Sequence, residues 1–235
     1  MLCTVQIGDK MKFTGFTNET FRFLLELSFN NNTEWFEQNR KRYDDFVKRP
    51  ARELAAELLP TALAVDPAYN QNLNSIVSRI RRDTRFTKDK SPYRDHLWLG
   101  FRRPKTSISE GFTLWFEFSP RGYTYGAGFY SAEPDFMNAY RKRILAGPSC
   151  FLDLANELLR HGFAYEAENY KRSHFPDAPA EIKPYINVRS FAWCKRVNGV
   201  AELLEPSDIA EKLRTDFLVL KPMNSYVQSI FDSKN

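Results

Sequence analysis

The chain is poor in the residues that most often carry out chemistry. Three cysteines (Cys3, Cys150, Cys194) and three histidines (His96, His161, His174) are scattered over 235 residues. None has metal-ligand spacing, so no metal is expected, and an odd cysteine count argues against a disulfide framework. The ten glycines form neither a lysine-containing phosphate loop nor a Rossmann spacing, and there is no nucleophile elbow. No apolar run approaches the roughly 20 residues that span a bilayer, so no membrane partner is expected. No secretory segment is visible, and with unpaired thiols that fits a reducing cytoplasm. Repeats, low-complexity tracts and interdomain linkers are also missing.

What is present is a large core. Hydrophobic residues make up 43% of the chain and aromatics 15%, with 20 Phe, 11 Tyr and 4 Trp. That composition argues against disorder. Thr17 suits the N-cap of a first helix with Phe21, Leu24, Leu25 and Ser28 on one face. Asn30-Asn31-Asn32 breaks it. Asn32 or Thr33 then caps a second helix bearing Trp35, Phe36, Asn39, Tyr43 and Phe46. Pro50 opens a third, with Pro60 near its end. The period then changes to two. Residues 75–85, 97–101, 112–118 and 123–129 alternate as strands, the last two joined by a short turn as an antiparallel hairpin. Helices return at Pro134 and over residues 150–161. A strand is predicted over residues 185–196, and further helices at Ser207 and Pro222. The pattern predicts a single α+β domain over residues 11–232, with a central antiparallel sheet flanked by N-terminal and C-terminal helices. Residues 1–10 read as an extension or a frayed terminus, and Met11 is an alternative start.

Charge is unevenly placed. Residues 79–94 hold seven Lys or Arg against two Asp, an excess of five, and the whole chain also carries +5. Everything outside this segment therefore sums to zero. Arginine forks grip phosphate or carboxylate with paired hydrogen bonds. The candidate ligand-binding residues are Arg79, Arg82, Arg85, Lys88 and Lys90, with Asp83, Asp89 and Tyr93 orienting the cations. Arg81 shares the face of Arg79, Asp83 and Arg85 if the strand is regular, and Thr87 offers a hydroxyl.

These residues resemble known motifs. Asn31-Asn32, Trp35-Phe36, Asn39 and Tyr43 are similar to the first motif of a widespread, mostly bacterial family, catalogued as domain of unknown function 2461 and also called a conserved hypothetical protein family. Arg79, Arg82-Asp83, Arg85-Phe86-Thr87, Asp89-Lys90 and Pro92-Tyr93 resemble its central motif. Gly126-Ala127-Gly128-Phe129-Tyr130 followed by Arg141 resembles its third. The resemblance runs from Phe13 to about Phe231, and residues 171–178 depart from the family's basic loop. It implies no settled activity, and whether a cofactor is used is unknown from the sequence.

Three functional readings follow. The first is a module that binds a phosphate-bearing small molecule or nucleic acid. The second is a metal-dependent phosphoester hydrolase using Asp83 or Asp89, with Glu117 as a third carboxylate. The third is a structural or interaction protein in which the cluster is an internal ion-pair lattice. Several smaller features also carry two readings each. Trp35, Asn39 and Tyr43 line one helix face, as core or as a stacking site. Gly126 and Gly128 mark a close approach by another group or a ligand wall. His96 is the one histidine placed to act as an acid or base beside the cluster, and Cys194 reads as a buried small hydrophobe.

Overall fold

The computed structural model describes residues 12–85, 88–104 and 111–233. The extension expected over residues 1–10, and Met11, lie outside them. The fold is a single-domain α+β arrangement.

The N-terminal third is helical. Thr17 is extended and its amide donates to Thr20 Oγ1 at 3.1 Å, opening α1 (Asn18–Phe29). Phe21, Phe23, Leu24 and Leu27 are buried on it, whereas Leu25 is half exposed, so the apolar stripe is rotated from the expected one. Asn32 Oδ1 accepts the Trp35 amide at 2.9 Å and starts α2 (Thr33–Gln38). The single helix expected here is interrupted at Asn39, then resumes as α3 (Arg40–Tyr43) and a π-turn over Asp44–Lys48. Next comes α4 (Arg49–Val65), with Pro50 in its first turn. Pro60 lies inside α4 instead of ending it. Beyond it Ala62 and Val65 are buried, and that packing carries the helix past a residue with no amide to donate.

Residues 75–85 do not form the expected regular strand. Asn72 caps a one-turn helix, α5 (Leu73–Ile76), by accepting the Asn74 amide. The chain then runs extended, touching the sheet through one Val77–Leu99 bridge before pairing with its own continuation at Arg81–Tyr93.

The sheet consists of β1 (Leu97–Phe101), β2 (Thr113–Ser119), β3 (Gly122–Gly128), β4 (Ala164–Asn169) and β5 (Val188–Asn198). Its order is β1-β2-β3-β5-β4, antiparallel throughout. The β2–β3 hairpin is as expected. Two late strands return to the sheet where one was predicted. The polar edge strand β4 has too little apolar alternation to be read from sequence. The predicted strand at Tyr185 begins only at Val188, because Pro184 opens a one-turn helix, α8 (Lys183–Ile186).

Strand alternation separates two faces. Leu97, Leu99, Phe101, Leu114, Phe116, Phe118, Tyr123 and Tyr125 point inward and are buried. Over them pack α4, α6 (Pro134–Ala146), α7 (Pro148–Arg160), α9 (Pro206–Val219) and α10 (Lys221–Asp232). Ring contacts include Phe101–Phe217, Tyr140–Phe191 and Phe129–Phe231. On the other face Trp98, Trp115, Glu117 and Thr124 are half-buried and Arg196 and Glu166 are exposed. No helix of the described residues is long and apolar enough to cross a membrane.

Candidate anion-binding ribbon

The basic segment is a two-stranded ribbon leaving the β1 edge. Arg82 N donates to Pro92 O at 2.8 Å and Arg94 N to Ile80 O at 2.9 Å. Arg94 Nη1 donates to the carbonyls of Arg79 (2.8 Å) and Arg81 (2.9 Å), stitching the base of the ribbon. The buried side of the ribbon is Ile80 and Tyr93. Tyr93 stacks on Phe36 with ring centres 4.1 Å apart and a 15° interplanar angle. Its backbone is gripped from both sides by one side chain: Asn31 Oδ1 accepts Tyr93 N at 3.0 Å, and Asn31 Nδ2 donates to Tyr93 O at 2.9 Å. Tyr93, expected to orient the cations, is therefore packed in the core and does not line the surface.

The exposed side carries the charge. Asp83 accepts Nε and Nη2 of Arg85 at 3.0 and 2.7 Å, and these bonds bring its carboxyl down to about 2. Asp89 is likewise brought down to about 2, first by the Ser91 hydroxyl and amide and then by Arg82, which it pairs with. Lys90 Nζ donates to Thr84 O at 2.8 Å. Arg94 is held below the usual arginine value by burial and by the neighbouring charge of Arg82. Arg79, Arg81 and Lys88 are exposed, and among the described residues they have no ion-pair partner. Arg81 does add to the field that, with the Arg40 hydrogen bond, depresses Glu37. Thr87 lies outside the described residues.

The carboxylates proposed for metal chemistry do not converge. Asp83 and Asp89 each turn to an arginine, and Glu117 stands on β2 opposite Trp98. Among the described residues no group of three or more His, Cys, Asp or Glu is placed to hold a metal ion. His96 bonds Asp95 at 2.9 Å, and Asp95 also pairs with Arg121 at 3.0 Å. His161 bonds Glu157 at the end of α7. Trp35 packs on Phe23, Tyr43 is buried, and Asn39 Nδ2 donates to Trp35 O at 2.9 Å, so this stripe is core. Gly126 and Gly128 face a neighbouring backbone: an added Cβ would stand 2.0 Å from Trp193 O at the first and 2.5 Å from Ala192 Cα at the second. Cys194 is buried, and burial followed by the Glu166 charge pushes its thiol up to about 12, which makes it unreactive.

A family model described as "Conserved hypothetical protein (DUF2461)" matches residues 19–226, which include the Asn31 clamp, the whole ribbon and the sheet. The chain belongs to the DUF2461 family. No curated protein matches it. In this DUF2461 member, three features escaped the sequence reading: the Asn31–Tyr93 clamp, the Arg94 stitch, and the position of Trp98 beneath Arg94, whose guanidinium carbon lies 4.9 Å from the indole centre. Asn31 looked like a turn residue because its partner is 62 positions away. The arginine spacing 79, 81 and 94 carried no signal that one of the three braces the other two.

Proposed function

We propose that the protein binds a phosphate-bearing ligand, a nucleotide or nucleic acid, through residues 79–94. The observation that carries this reading is the division of labour among the seven cations. Arg82 and Arg85 pair with the segment's two aspartates, and Lys90 and Arg94 donate to backbone carbonyls. That leaves Arg79, Arg81 and Lys88 pointing outward on a braced scaffold, where the local charge excess is not cancelled. Exposed guanidinium and ammonium groups fixed this way suit phosphate oxygens. They gain by releasing the counterions that a polyanion condenses around itself.

The internal pairs also fit the lattice reading, in which the loop is only structural. The two readings differ in what Arg81 and Lys88 do. A lattice gains little from either, since neither has an ion-pair partner among the described residues and Arg81 adds only a minor field at exposed Glu37. We expect the Arg81→Ala/Lys88→Ala variant to melt within about 2 °C of wild type, as surface changes do. It should bind single-stranded oligonucleotides more weakly, with the slope of log Kd against log salt reduced by about 0.7 for each lost phosphate contact. Unchanged affinity and slope would remove the proposal and leave the lattice.

A further inference from the structure

The sheet face turned away from the helices holds a second set of groups beside the ribbon. Trp98, Glu117, Thr124 and Arg196 stand in one row across β1, β2, β3 and β5, and the next row is Gly100, Trp115, Gly126 and Cys194. Trp115 is half-buried between two glycines, which carry no side chain to screen it. Among the described residues no ring or cation stacks on it. Glu117 is also half-buried, and among the described residues its carboxylate has neither a hydrogen bond nor an ion pair. It lines a shallow cleft of about 150 Å³ with Ser119, Arg121, Thr124 and Arg196. The cleft is polar and open to solvent.

These groups ask for something other than phosphate. An unpaired carboxylate repels a phosphate oxygen but accepts from an N–H donor, and nucleobases offer such donors as exocyclic amino groups. The exposed part of a half-buried indole on which no described ring or cation stacks offers a π-surface on which any base can stack. The two chemistries meet at Arg94, which is bonded to the ribbon carbonyls of Arg79 and Arg81 and lies over Trp98, the neighbour of Glu117. We infer that the ligand is a single strand of nucleic acid, its phosphates on Arg79, Arg81 and Lys88 and its bases turned onto the sheet. There one base stacks on Trp115 and donates an amino group to Glu117. This rests on the phosphate reading of the ribbon and goes beyond it. A duplex does not fit, because its bases are stacked and paired and cannot be laid on a sheet.

The test is fluorescence anisotropy with labelled oligo-dC, oligo-dT and a duplex of the same length. Thymine lacks the exocyclic amino group, so wild type should bind oligo-dC about five- to tenfold more tightly than oligo-dT, and both more tightly than duplex. Trp115→Ala should weaken both single strands about tenfold, while Trp115→Phe, which keeps an aromatic ring, should retain most of the affinity. Glu117→Ala should bring the dC-to-dT ratio to about one, whatever the removal of a negative charge does to affinity in general. Binding should also quench indole emission in wild type and less so in Trp115→Ala, because Trp193 is fully buried, Trp98 lies beneath Arg94 and Trp35 packs on Phe23. Suppose wild type shows no preference and Trp115→Ala binds normally, while Arg81→Ala/Lys88→Ala is weakened. The base platform is then refuted and the ribbon stands. If duplex binds as well as single strand, the platform is refuted as well. If Arg81→Ala/Lys88→Ala binds like wild type, the ribbon reading falls and takes this one with it.

Discussion

Asn31 performs a task that a larger motif would ordinarily be asked to perform. Its carboxamide occupies both hydrogen-bonding groups of the Tyr93 backbone, at 3.0 and 2.9 Å, and so fastens the ribbon to the α1–α2 turn. An amide is the smallest side chain with a donor and an acceptor at this spacing. Removing it leaves an N–H and a C=O without partners next to a ring that is buried on Phe36. The Asn31→Ala variant should therefore lose about 1–3 kcal/mol of stability in urea denaturation. Amide exchange at Arg82 and Arg94, which hold the ribbon's cross-strand bonds, should speed up more than exchange in β2. A loss spread evenly over the sheet would show that Asn31 supports the global fold and does not specifically hold the ribbon.

Among the elements, the β3–β5 contact sets the tightest steric limit. At Gly126 a Cβ would lie 2.0 Å from Trp193 O and 2.8 Å from Cys194 Cα, both backbone atoms that cannot rotate away. Gly126→Ala must push the two strands apart, and we expect about 1–3 kcal/mol of destabilisation by thermal or chemical melting. Gly147→Ala, where nothing lies within 4 Å, is the control and should be close to neutral. The same strand shows what was legible in advance. Alternating aromatics and a short turn are local signals, and they predicted the β2–β3 hairpin, while the two glycines signalled a close approach without naming β5. Where tertiary contacts decided the outcome, the local signal misled. Residues 75–85 alternate like a strand, yet residues 75–76 end a helical turn, only residues 77–78 touch the sheet at β1, and residues 80–82 pair with residues 92–94. Pro60 looked like a helix end, but buried Ala62 and Val65 hold the helix together beyond it. The basic segment was evident from charge alone. The sheet face beside it was not, since Trp115 and Glu117 gain their meaning from cross-strand neighbours, Gly100 and Trp98 on β1 and Gly126 and Thr124 on β3, that only the register brings together.

At the scale of the molecule the sheet divides two kinds of work, with packing on one face and, in the reading proposed above, ligand on the other. The packed face contains an ionic network around Asp216. Asp216 on α9 accepts from the Tyr125 hydroxyl at 2.6 Å and from Lys195 Nζ at 2.9 Å, and Lys195 also lies 4.7 Å from the centre of the Phe163 ring. Burial and the Asp216 carboxylate raise the Tyr125 hydroxyl well above its usual value, so it remains a donor across the working pH range. The network fixes α9 to the centre of the sheet. Asp216→Ala would strand a largely buried ammonium and a buried phenol, at a cost of about 3 kcal/mol by analogy with other broken buried pairs. Asp216→Asn keeps an acceptor for Tyr125 and should cost less. Both variants alter the inward face only. At a temperature well below their melting points they should bind single-stranded oligonucleotide with wild-type affinity and the same dC-to-dT ratio. If either variant, still folded, lost that ratio, the two faces would be coupled through β3, and the division of labour across the sheet would have to be abandoned.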